Sequence, residues 1–225
     1  MHHSYTDEQM QRLLTGTTTV GVVCKEGIVL ATDKRAVAGR LVAHKHTEKI
    51  FEVDTHLGAT IAGSVADAQT AMDILRASAR LYRIQKEAPI RVGAAARLLA
   101  NIFFQSRLFP YILQVVIGGL DDTGPRLFIL DLFGSVIEDK FVSTGSGSPV
   151  AYGVLEDSFN SKVTIRDAVP LTIRAVHSAL ERDVATGNGI DVVTITKSGF
   201  NKMPEEEVWA EIEKLATAKK GIRLP

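Results

Sequence analysis

The chain has 225 residues, 45% of them hydrophobic, which is enough to fill the core of one large domain without requiring a second. Its 26 basic residues balance its 26 acidic ones, excluding a basic excess for nucleic acid and an acidic tail for a basic partner. The lone cysteine, Cys24, excludes an internal disulfide framework and fits a reducing cytoplasm.

At the start, "MHHSYTDEQMQRLL" lacks the cationic opening and unbroken apolar run of a secretion signal, so a soluble, unexported protein is expected. The segment ends in Gly16, and three threonines, Thr17 to Thr19, open the first apolar stretch. β-Branched residues from Thr17 to Cys24 and from Ile28 to Asp33 predict a hairpin across "KEG", with Gly27 supplying the turn. "KIFEV" and "ATIAG" predict a second pair of strands.

From Ser64 the period changes. Val65, Ala68, Met72, Leu75, Ala79 and Tyr82 recur at helical spacing, Ser64 and Asp67 suggest a capping box, and Pro89 closes the segment. A second helix is predicted from Val92 to Leu108, and its apolar run "AAARLLANIFF" is broken by Arg97 and Asn101, which argues against a membrane span. Strands return in "ILQVVIGG", "RLFILDLF" and "SVIEDKFVS". Helices follow at Val150 to Phe159 and Asp167 to Ala185, then a strand "DVVTITK" and a final amphipathic helix through "PEEEVWAEIEKLATAKK". Strands and helices in segregated runs predict an α+β fold, a four-layer αββα sandwich of two antiparallel sheets between helix layers.

Threonine is a good strand former, so the cluster at Thr17 reads first as the opening of a strand. Its position behind a polar segment and a permissive glycine gives a second reading. Were the bond after Gly16 cut, Thr17 would carry a free α-amine beside its own hydroxyl. Such an amine titrates at about 7.7 to 8.0 and can serve as the base that a hydroxyl nucleophile needs. Lys49 and Asp33 lie at the ends of neighbouring predicted strands, where a cation could lower the amine's pKa and a carboxylate could hold the cation. "STGSGSPVAYG" lacks the lysine of a phosphate-binding P-loop, and no glycine fingerprint for a dinucleotide is present. His44 and His46 lack a third ligand at metal-binding spacing, and Cys24 alternates with Val20 and Val22 as a packed side chain. "GSGSP" places Pro149 where a serine-hydrolase elbow needs glycine.

"TGTTTVGVV", "GIVLATDKRAVAG", "KIFEVD", "TIAGSVADAQ", "YRIQ", "VVIGGLD", "STGSGSPVAYGVLE" and "RDVATGNGIDVVTIT" follow one another from about residue 15 to 197. With them the chain resembles the catalytic β subunits of the 20S proteasome, most closely the archaeal type, whose fold is that of the N-terminal nucleophile hydrolases. The resemblance implies that residues 1–16 form a propeptide removed by self-cleavage between Gly16 and Thr17, leaving 17–225 as one catalytic domain. It implies Thr17 as nucleophile, Asp33 and Lys49 as the groups that orient and tune it, Ser146 and Asp183 as further members of the network, and the Gly63 N–H as oxyanion donor. Thr186 stands where many relatives have serine, and Val37 where the family commonly has threonine. Ala36, Ile61 and Val65 match the pocket for the residue before the cleaved bond, implying chymotrypsin-like preference. No metal or organic cofactor is implied. The implied partners are α and β subunits in stacked seven-membered rings, an ATP-dependent unfoldase, and unfolded polypeptides. A catalytically silent ring subunit and a bacterial two-ring threonine protease are the alternatives.

Overall fold

The computed structural model describes residues 16–39 and 41–221; residues 1–15, the expected propeptide short of Gly16, lie outside the described part. Two five-stranded antiparallel sheets carry the fold. One has strand order β10-β1-β2-β11-β12, built from Phe141–Thr144, Thr19–Val23, Gly27–Asp33, Ile190–Thr196 and Gly199–Lys202. The other runs β5-β6-β7-β8-β9, from Ile50–Asp54, Leu57–Gly63, Leu113–Asp121, Gly124–Leu130 and Val136–Glu138. A two-stranded hairpin, β3 (Ala36–Ala38) and β4 (Leu41–His44), stands apart.

The inner faces meet through Ile28, Leu30, Val116, Leu127, Val193 and Ile195. Outside the second sheet lie α1 (Val65–Lys86) and α2 (Val92–Gln105), which bury Met72, Leu75, Leu99 and Phe103 against it. The first sheet is covered by α3 (Ser148–Ser158), α4 (Ile165–Leu180) and α5 (Glu205–Gly221), through Leu155, Ile173, Val176 and Val208. Each sheet thus spends both faces on burial, giving the expected αββα sandwich. β2 shows the consequence: all seven residues are buried, and the strand ends on a carboxylate, Asp33. Among the described residues no helix is long and apolar enough to cross a membrane.

Several expectations need correction. Gly27 is not among the residues with positive φ; it is glycine because a Cβ there would lie 2.0 Å from the Ile195 carbonyl oxygen of β11. "SVIEDKFVS" is two strands: β9 closes one sheet on β8, and after Asp139 and Lys140 the chain crosses to the other, where β10 pairs with β1. Only half the capping box forms. The Ser64 hydroxyl accepts from the Asp67 N–H at 3.4 Å, but the Asp67 carboxylate takes the Ile112 N–H, and the Ser64 N–H goes to the Ile112 carbonyl. The helix expected to reach Ala185 stops at Leu180, the one expected to reach Leu108 stops at Gln105, and the hairpin β3–β4 and strand β12 were not anticipated. β1 begins at Thr19 rather than Thr17, because Thr17 has φ +142° and the Thr18 N–H is given to a carboxylate instead of a strand neighbour.

Candidate active site

Asp33 ends β2 in the middle of the first sheet, and Lys49 directly precedes β5 at the edge of the second. The Ile61 N–H donates to the Lys49 carbonyl at 3.1 Å, so the lysine backbone is tied to β6. Lys49 Nζ reaches Asp33 Oδ1 at 2.7 Å, with side chains 4% and 0% exposed. Three backbone N–H groups complete the carboxylate: Thr18 on Oδ1 at 3.0 Å, and Arg35 and Gly187 on Oδ2 at 3.1 and 2.9 Å. Burial pushes the Lys49 ammonium below its ordinary pKa, although the Asp33 charge and hydrogen bond pull the other way. Two charges removed from water are tolerated here because the negative one is fully bonded.

Thr17 is buried beside this pair. It lines a cavity of about 360 Å³ together with Gly16, Ala36, Val37, Lys49, Ile61, Gly63 and Val65. The cavity therefore gathers residues from the start of the described chain, β3, β6 and the first turn of α1. Its side walls at Ala36, Ile61 and Val65 are uncharged and apolar. Thr17 has φ +142° and Gly16 has φ +117°; for a β-branched residue the first value is strained backbone, and it sits at the Gly16–Thr17 junction.

Asp33, Ser146 and Asp183 are not in that lining. Ser146 belongs to the turn between β10 and α3, where the Gly147 N–H points to the Thr17 carbonyl at 3.5 Å. Its hydroxyl donates to Asp183 Oδ2 at 2.6 Å, and the same oxygen accepts from the Thr186 hydroxyl at 2.5 Å. Asp183 is thus held by two hydroxyls, and its charge also acts on Lys49. The structure brings all the predicted residues into one region, as the cavity lining, the buried pair beneath it, or this adjoining carboxylate.

Three participants were not singled out from the sequence. Thr18, read only as a strand former, binds Asp33 through its N–H and lies with its hydroxyl 2.7 Å from Thr186 Oγ1. Thr47 lines the cavity. Arg35 also lines it, donating from Nε to Asn188 Oδ1 at 2.8 Å and from Nη1 to the Val184 carbonyl at 2.7 Å, which holds the 183–188 loop against the site. The "DKR" run was the available signal for Arg35; for Thr18, whose partner is 168 positions away, it was only its place beside Thr17. His44 and His46 are exposed, and among the described residues no three His, Cys, Asp or Glu side chains are grouped to hold a metal. Cys24 is buried, and desolvation pushes its thiol up to about 12.

A family profile described as "Proteasome subunit" matches residues 13–195. The chain is 54% identical over 203 residues to "Proteasome subunit beta" of Methanothermobacter thermautotrophicus, covering 90% of this chain and 97% of that one. It is 45% identical to "Proteasome subunit beta 2" of Nitrosopumilus maritimus, with the same coverage. With "Proteasome subunit beta" of Methanocaldococcus vulcanius the identity is 46% over 214 residues, covering 93% of this chain and 96% of the relative.

Proposed function

Because the chain belongs to the proteasome subunit family, as a β subunit of archaeal type, we propose that it is a threonine endopeptidase of a 20S core, with Thr17 as its nucleophile. The observation that carries this reading is the placement of Thr17 at a cavity it shares with Lys49, the lysine itself held at 2.7 Å by a fully bonded Asp33.

Activation comes first. The Thr17 hydroxyl attacks the Gly16 carbonyl carbon, the Gly16–Thr17 C–N bond breaks, and the leaving nitrogen takes up the hydroxyl proton to become a free amine while an ester forms on the hydroxyl oxygen. Water then cleaves that ester and releases residues 1–16. The strained φ at Thr17 supports this step, since cleavage relaxes it. In the mature site the amine accepts the hydroxyl proton as the oxygen attacks a substrate carbonyl, and later passes it to the leaving amine. Lys49, a cation beside it, disfavours protonation of the amine and keeps it available as a base. The Gly63 N–H is assigned to the developing oxyanion, a role worth about 2.7 to 4 kcal/mol. Ala36, Ile61 and Val65 favour bulky apolar side chains before the cleaved bond, and the Val37 backbone aligns the substrate as an added strand.

Assembly into stacked seven-membered rings with α subunits, served by an ATP-dependent unfoldase and supplied with unfolded protein in the cytoplasm, completes the reading. Ile84, Leu108 and Phe109 support it, being 77%, 82% and 79% exposed on the isolated chain and in need of cover. Peptide hydrolysis by assembled particles tests the activity: it should vanish in Thr17→Ala, and undiminished turnover would assign the chain the silent role instead.

A further inference from the structure

The residue after the proposed nucleophile is bonded on three sides. Thr18 is fully buried; its N–H donates to Asp33 Oδ1 at 3.0 Å, its carbonyl accepts the Asp33 N–H at 3.2 Å, and its hydroxyl lies 2.7 Å from Thr186 Oγ1. Thr186 donates its one hydroxyl proton to Asp183 Oδ2, which also accepts from Ser146. An ionised carboxylate has no proton to return, so the Thr186 proton is committed to Asp183 and Thr18 is the donor in the threonine pair. A directed chain of hydroxyls therefore runs from Thr18 through Thr186 to Asp183. Gly147 makes room for it: a Cβ there would stand 2.0 Å from Thr18 Oγ1 and 3.2 Å from Thr186 Oγ1.

We propose that Thr18 is a positioning residue that couples the two carboxylates of the site, holding Asp33 with its N–H and polarising Asp183 with its hydroxyl through Thr186. The proposal rests on the reading of Thr17 as nucleophile and deepens it. The charged groups around the centre are Lys49 and the three that act on its charge, Asp33, Arg35 and Asp183. Each donated hydrogen bond strengthens the next along a chain. Without the Thr18 hydroxyl, Thr186 grips the Asp183 oxygen less firmly and leaves more negative charge there. A neighbouring Thr17 amine then holds its proton more tightly, so less neutral base is present near pH 7, and the loss is recovered at higher pH.

The test uses core particles assembled with their α subunits, carrying the wild-type chain, Thr18→Val, Thr18→Ser or Thr17→Ala. Intact mass reports processing, and kcat and KM are measured against pH on a peptide ending in leucine. Thr18→Val, which keeps the shape and loses the hydroxyl, should process more slowly and lower kcat near neutral pH by about two- to tenfold, the range of one hydrogen bond. Its KM should stay within about twofold and the acid limb of its kcat profile should move to higher pH; Thr18→Ser should restore both rate and limb. A wild-type profile in Thr18→Val, or equal impairment of Thr18→Ser with an unshifted limb, overturns the proposal. If Thr18→Val yields only unprocessed chain, Thr18→Ser decides: normal processing supports the hydroxyl's role, and failure of both variants contradicts it. Undiminished turnover in Thr17→Ala marks failure of the nucleophile reading itself, and this proposal falls with it.

Discussion

Lys49 Nζ and Asp33 Oδ1 lie 2.7 Å apart, but the two partners depend on each other unequally. Asp33 keeps three backbone N–H donors if the lysine is lost, whereas Asp33→Ala strips a buried ammonium of its carboxylate. Removing one member of a buried pair costs about 3–5 kcal/mol when the other is left uncompensated. Asp33→Ala should therefore lower the thermal midpoint far more than Lys49→Ala, while both should abolish peptide turnover. Equal melting of the two variants would contradict this asymmetry.

Gly147, the second glycine of the 145–147 turn, gives a second test. Gly147→Ala places a methyl 2.0 Å from Thr18 Oγ1, against a fully buried residue with backbone bonds on both sides. Overpacking of this kind costs about 1–3 kcal/mol. A destabilisation of that size should appear in denaturant unfolding, together with slowed self-cleavage. Unchanged stability would show that the turn yields more readily than its contacts indicate.

Specificity should follow the cavity wall. Peptides ending in leucine should be cut faster than otherwise identical ones ending in arginine or glutamate, because Ala36, Ile61 and Val65 offer no charge and the two cations of the lining, Lys49 and Arg35, are already engaged by Asp33 and by Asn188 and the Val184 carbonyl. Val65 is 45% exposed in the first turn of α1, where an added carboxylate suits the helix dipole. Val65→Glu should fold normally and raise the rate after arginine relative to leucine; an unchanged ratio of the two rates would contradict a role for Val65 in choosing that side chain.

Cys24 provides a check on the core below α4. With its thiol held near 12, native protein at about pH 8 carries only about 10⁻⁴ thiolate, against about a quarter for an unfolded thiol. Thiol reagents should label the folded protein at least about a hundredfold more slowly than the denatured chain. The folded-state pKa is raised, so the stabilising contribution is complete below about 9 and is lost as pH climbs towards about 12. Cys24→Ala should lose less stability over that window than the wild type, and an equal loss would contradict the assignment.

Periodicity made the layers legible, because β2 and α1 carry uninterrupted signals of strand and helix burial. It could not divide "SVIEDKFVS": strand-type residues flank Glu138, Asp139 and Lys140 alike, and the exchange of sheets is decided by what packs around them. Short β3 and β4 were hidden for a related reason, since neither is long enough to alternate visibly and β4 is exposed throughout. Within the site, Thr17, Asp33 and Lys49 could be chosen by chemistry and strand-end position. Thr18 could not, since a buried threonine in a strand-like run has the same local pattern whether or not its hydroxyl meets Thr186 across 168 residues.

The state of the Gly16–Thr17 bond tests the central claim most directly. Intact-mass spectrometry of purified, fully assembled particles should show a chain beginning at Thr17, with Thr17→Ala particles retaining the uncut chain. Assembled wild-type particles that contain only full-length chain would contradict the account, because Thr17 would then have no free amine to act as its base.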